Sequence, residues 1–410
     1  MDRVLLLTDG AAEQFTRAVT IDPGFALGHA ALALLGAEWG VPVDVPSALA
    51  AAGAAAERHA DDRERSFVAA VTARANDPAG ADADSPGARA LMRHITLHPR
   101  DALAVSAAVP TIAFGGITSG ERTWDLVESL GKDYGRDWWY SGELAFVRQE
   151  QGRWEEAEDL AVHALSQQPS AGHAVHARAH VFYETGQHGA GLSWLDAWIG
   201  ENGPQANNGA HFSWHAAIHE LALDDGAAVR RRYEGQLAPP TVSGSRALVD
   251  SGSLLWRCQM VSRWNGPLPT DELMEAAYAD WMTAPPNPFA ALHGVLALAL
   301  IQDSEGLAAM HKWAGGHTKP VFREVVAPLC GGLCAVVEQR WEDAVSMLYL
   351  LLPRLGELQG SVAQAEVIEE TLVYSMIQAG QTARAAEVIT ARLDRRPSQL
   401  DRSRVAALRG

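Results

Sequence analysis

Small and apolar residues recur at three- and four-residue spacing along most of the chain, and alternating runs of β-branched residues are scarce. The pattern predicts a nearly all-α protein. Its clearest unit is "QGRWEEAEDLAVHALSQQP", residues 151–169. Gly152 opens a turn, Trp154, Ala157, Ala161, Ala164 and Leu165 line one helix face, and Pro169 stops the helix. The alanines on that face allow a neighbouring helix to pack closely. The longest apolar stretch, "FAALHGVLALALI" at 289–301, is thirteen residues interrupted by His293. That is short of the roughly 20 a membrane span needs, so it reads as a buried helix.

Gly186 follows Gly152 by 34 residues, the tetratricopeptide period. Related turns recur around Trp341 and Gly380, and Pro23, Pro99 and Pro169 mark joints where one helix ends before the next. Elsewhere the spacing is irregular: Gly226 follows Gly186 by 40 residues, and 200–210, 236–245 and 283–288 read as long loops. The expected fold is one all-α domain over 1–410, with sub-halves 1–240 and 246–410. In it a degenerate TPR-like helical repeat forms a superhelix curled around an internal pocket, where a regular array would leave an open trough.

Lys and Arg total 33 against 50 Asp and Glu, a formal charge of −17. This opposes binding to nucleic acid or to an anionic membrane surface. The N-terminus carries only four consecutive apolar residues before Thr8, too few for a signal-peptide core. The cysteines, Cys258, Cys330 and Cys334, include no CxxC pair and imply neither a disulfide framework nor a zinc knuckle. A cytoplasmic location is expected. Cys330 and Cys334 are four apart and are expected to be buried, inert thiols.

Several blocks, in order and spacing, resemble the tetratricopeptide repeat protein 38 family: "AGHAVHARAHVFYETGQHGAGLSWL", "HFSWHAAIHELALDDG" and "LVDSGSLLWRCQM", with "RERSFVAA", "HPRDALAV", "NPFAALHGVLALAL" and "LQGSVAQAEVIEETL" as further blocks. The likeness runs from about residue 14 to about residue 397. It implies a TPR-like helical superhelix, found in bacteria and animals, with no general biochemical activity attached. The family pattern falls on His176 and His180, on His211, Trp214 and His215, on Asp250, Trp256 and Arg257, and on His293. Phe67 and Val362 stand where the family has histidine, and Ala365 where it has arginine.

The histidine pairs 176/180 and 211/215 are each spaced i,i+4, so each pair projects from one helix face. If the pairs converge, His176, His180, His211 and His215 form a set for a divalent metal such as zinc, the one cofactor this pattern leaves open. Without a metal, the same imidazoles serve as acid/base groups. Asp250 or Glu184 would orient them and Arg257 would hold an anionic substrate. Trp194, Trp198, Trp214 and Trp256 would wall the site, and buried histidines satisfied by the backbone would give the same pattern. His219, beyond the part of its block that matches the family pattern, is expected at the surface, and His173 and His188 are expected to be solvated. There is no phosphate loop, no GxSxG elbow and no HExxH helix.

Two functions follow. One is a small-molecule enzyme or binder: His176, His180, His211, His215 and Asp250 would carry proton transfer or hydrolysis, and Trp214, Trp256, Arg257 and His293 would hold a small anionic metabolite. The alternative is a non-catalytic TPR-type scaffold, whose groove would take a protein partner or a second copy in a homodimer.

Overall fold

The computed structural model describes residues 1–78, 84–109, 117–118, 120–203 and 209–410. These residues are helical with no strand; the one β-bridge pairs Gly244 with Ala277. Of the expected loop 200–210, residues 204–208 lie outside the described residues. By contacts the chain forms two compact units, Met1–Arg178 and a second that begins at Ala179 and ends at Gly410. No helix among the described residues is long and apolar enough to cross a membrane.

In the first unit, helices adjacent in sequence pack in pairs: Ala26–Trp39 on Val45–His59, Asp62–Ala75 on Pro86–Leu97, and Trp138–Glu150 on Trp154–Gln167. Local chemistry sets their starts. Asp61 and Glu64 form a reciprocal capping box, and Asp44 and Ser85 cap helices whose first turns carry proline. Alanines from these helices meet Leu34, Phe67, Val71, Leu91 and Trp139 in one core. Phe67 packs on the ring of His94, centroids 5.5 Å apart.

In the second unit, the helix Pro288–Leu300 is buried at every position, as its apolar run requires. It joins Trp214, Leu254, Leu255, Trp256, Leu329 and Leu372 in the largest core. Three short π-helical stretches interrupt this unit, among them Ala247–Gly252, which contains Asp250.

One turn geometry recurs along the chain. At residues 152, 186, 224, 262, 302, 339 and 380 one residue adopts positive φ. At each, the following residue's N–H donates five residues back, as in Arg153 to Arg148, Arg263 to Cys258, Asp303 to Leu298 and Gln381 to Met376. This is the Schellman helix ending. The turns fall 34 to 41 residues apart. Only three use glycine; Asp224, Ser262, Gln302 and Gln339 fill the others at a steric cost of about 1–2 kcal/mol each. The left-handed residue of the third helix end is thus Asp224, and Gly226 instead begins the next helix, behind the Asp225 cap.

Candidate functional site

The helix Gly172–Glu184 carries His176 and His180, and Gly209–Ala222 carries His211, Trp214, His215 and His219. From His211 to Ala222 every residue of the second helix is buried, so its histidines are core groups on a helix with no solvent face. The rings of His180 and His215 meet edge-on with centroids 4.6 Å apart, and those of His215 and His211 at 4.7 Å. His176, His180 and His215 are all buried and offer ligand nitrogens within 4.8 Å of one another. This group could hold a metal ion. Zinc–nitrogen bonds near 2.0–2.1 Å place tetrahedral ligand nitrogens about 3.4 Å apart, inside that limit.

His211, expected as a fourth ligand, lies outside that group. Its Nδ1 is 2.8 Å from Asp250 Oδ1, and Arg246 donates to Asp250 Oδ2 at 3.2 Å. Burial alone would raise the pKa of Asp250, but Arg246 and His211 outweigh it and hold the carboxyl below its ordinary range. An ionised carboxylate only accepts, so His211 carries its proton on Nδ1 and its lone pair on Nε2. Burial lowers the pKa of His211 against the pull of Asp250, and takes His180 to about 3, with the nearby His211 charge adding. These imidazoles are neutral at pH 7, the form that binds metals and accepts protons.

The four residues expected to hold a ligand divide. Trp256 is buried and its Nε1 donates to Thr371 Oγ1 at 2.9 Å, so its polar atom is spent on the core. Arg257 gives Nη2 to the carbonyls of Ala363, 2.5 Å, and Gln364, 3.3 Å. Its Nε has no hydrogen-bond partner, and neither has Trp214 Nε1 nor either nitrogen of His293. All three side chains are buried. The Arg257 guanidinium carbon is 6.0 Å from the Trp214 ring. Burial pushes His293 down to about 3, and the charges of Asp250, Arg257, His211 and Arg246 act on it. The unbonded donors therefore sit beside the His211–Asp250–Arg246 chain.

Several expectations need correction. His219 is fully buried: its Nδ1 lies 3.1 Å from Nδ1 of His188, and His188 Nε2 lies 2.9 Å from the Pro397 carbonyl. Helix Gly209–Ala222 has no exposed face for it to occupy. His188 is buried at a helix start, and His173, also buried, lies 3.2 Å from Glu143. Glu184 orients no histidine; it is paired with Arg396 at 3.2 Å. Trp194 and Trp198 pack against Phe182 and Phe212 at 5.7 and 4.7 Å. Val362, where the resemblance places histidine, is 62 % exposed on the first turn of its helix, turned away from the core. Cys330 is buried with its thiol pushed up to about 12, and Cys334 is only half-buried.

Sequence reasoning missed the His188–His219 contact. The i,i+4 continuation of the stripe from His215 to His219 was its one available signal. No family model matches the chain.

Proposed function

We propose that the chain is a curled helical-repeat protein, of the tetratricopeptide repeat protein 38 kind, whose histidine site binds a small anionic metabolite. There it would act by proton transfer or metal-assisted hydrolysis. One observation carries this reading: Trp214 Nε1, Arg257 Nε and both His293 nitrogens are buried without a hydrogen-bond partner. Each such group costs about 1–3 kcal/mol if left unmet. A carboxylate or phosphate oxygen supplies the acceptors that the Trp214 indole N–H, the Arg257 Nε–H and the single N–H of neutral His293 lack, and the Arg257 charge complements it.

Beside that ligand, His211 would act as the base through Nε2, its tautomer fixed by the Asp250 carboxylate. His176, His180 and His215 would hold a divalent ion such as zinc, which supplies Lewis acidity when bound. Trp256 would support the site by packing.

Two measurements test this. Elemental analysis of protein purified without a His-tag should find a divalent metal near one equivalent, falling in His180→Ala; less than about a tenth of an equivalent ends the metal part. Calorimetric titration with inorganic phosphate and with small mono- and dicarboxylates should find a binder that Trp214→Phe, which removes the indole N–H, weakens about tenfold. Binding that Trp214→Phe leaves untouched would place the anion elsewhere.

A further inference from the structure

The first unit contains a cavity of about 1100 Å³, at the upper end of small-molecule sites. Leu35, Trp39 and Val41 give it apolar wall, and Arg3, Asp9, Glu13 and Arg17 add two charges of each sign, which balance. Two buried polar side chains also line it: Ser106 and His173. Ser106 is 3 % exposed and its Oγ has no hydrogen-bond partner, although it sits on the helix Ala102–Ala108 and lines open space. A buried hydroxyl without a partner is the mark of a position whose partner is a ligand or a water.

The environment of His173 fixes its charge. Gly142 lets two backbones approach, since a Cβ there would stand 3.1 Å from the Ala174 nitrogen, and Glu143 is thereby set against His173. Burial pushes the Glu143 carboxyl up to about 8 and the His173 imidazole down to about 4. Near pH 7 the acid is protonated and the imidazole neutral, so this buried pair adds no charge to the cavity lining.

We propose that this cavity is a second ligand site, for an uncharged apolar molecule with a hydroxyl or carbonyl group at one end, that group hydrogen-bonding Ser106 Oγ. A serine hydroxyl both donates and accepts, so it serves either group. The Leu35, Trp39 and Val41 side chains cover the apolar body. The site stands on residues of the first unit alone and does not depend on the histidine-site reading.

The test is calorimetric titration of the full chain with 1-octanol and, separately, with octanoate at a pH where the latter is ionised. Octanol should bind and octanoate bind at least about tenfold more weakly. Ser106→Ala should weaken octanol about tenfold while leaving the melting temperature in place or higher, because it removes an unbonded buried hydroxyl. Val41→Trp, on a half-buried loop residue, should fill the cavity and abolish binding without unfolding the chain. Absence of octanol binding, equal affinity for octanoate, or octanol binding unaffected by both variants would each overturn the proposal.

Discussion

Replacing His293 by leucine should make the ligand-free protein more stable, and increasingly so as the pH falls. The imidazole is buried on helix Pro288–Leu300, with Phe289 at 4.6 Å, no hydrogen bond from either nitrogen, and the opposing charges of Asp250 and of Arg257 and Arg246 within range. Leucine has similar volume and no polar atoms, so His293→Leu should gain about 1–2 kcal/mol at pH 7. The pH term adds to this. Burial holds the folded-state pKa at about 3, below the ordinary 6.5. The unfolded chain therefore binds a proton between those values while the folded chain does not. Its contribution is fully present above about pH 6.5 and is lost as pH falls toward 3. From pH 7 to pH 5 that loss amounts to about 2 kcal/mol for this one group. The gap between variant and wild type should widen from about 1–2 to about 3–4 kcal/mol. Urea unfolding followed by tryptophan fluorescence at both pH values measures it. A gap that stays constant, or a variant less stable than wild type at pH 7, would show that His293 has a partner in the folded chain and would refute the reasoning.

Further outcomes follow from other contacts. Arg392 is buried and bonds both oxygens of Asp401, at 2.7 and 2.8 Å, and Glu370 at 2.6 Å. Arg392→Met should cost about 3–5 kcal/mol in denaturant unfolding, because it strands buried carboxylates. Gln339 is an exposed residue with φ 59° at a Schellman turn, so Gln339→Gly should stabilise by about 1 kcal/mol and raise the melting temperature by a few degrees. A Cβ on Gly191 would meet Phe182 Cβ at 2.7 Å and His219 Nε2 at 2.9 Å. Gly191→Ala should therefore cost about 1–3 kcal/mol, read in the same melts.

Helical character and the burial of 289–300 were legible in the sequence because spacing and a long apolar run speak directly to them; Ile301, at the end of that run, is exposed. The i,i+4 spacing showed that each histidine pair shares a helix face, but the meeting of His180 with His215, ring centroids 4.6 Å apart, depends on which helices pack together and was left open by the sequence. The partnership of His211 with Asp250 joins residues 39 apart, through a π-helical turn that spacing does not announce. The recurrent turn was only half visible: glycine marked turns 152, 186 and 380, while Asp224, Ser262, Gln302 and Gln339 adopt the same backbone without it. His173, His188 and His219 were misplaced for a common reason. Polar residues read as surface by default, yet helix Gly209–Ala222 is enclosed on every side, and His188 finds its acceptor at Pro397, 209 residues away. Arg257 was rightly singled out, but half of its guanidinium is spent on the Ala363 and Gln364 carbonyls, a contact only the folded chain supplies.

The most direct test of anion binding at Trp214, Arg257 and His293 is a thermal-shift comparison. Wild type and His293→Leu are melted with the same panel of small carboxylates and phosphates. At least one anion should raise the melting temperature of wild type and leave the more stable variant unmoved. A panel in which no anion shifts wild type, or in which every anion shifts both proteins alike, would contradict a ligand site there.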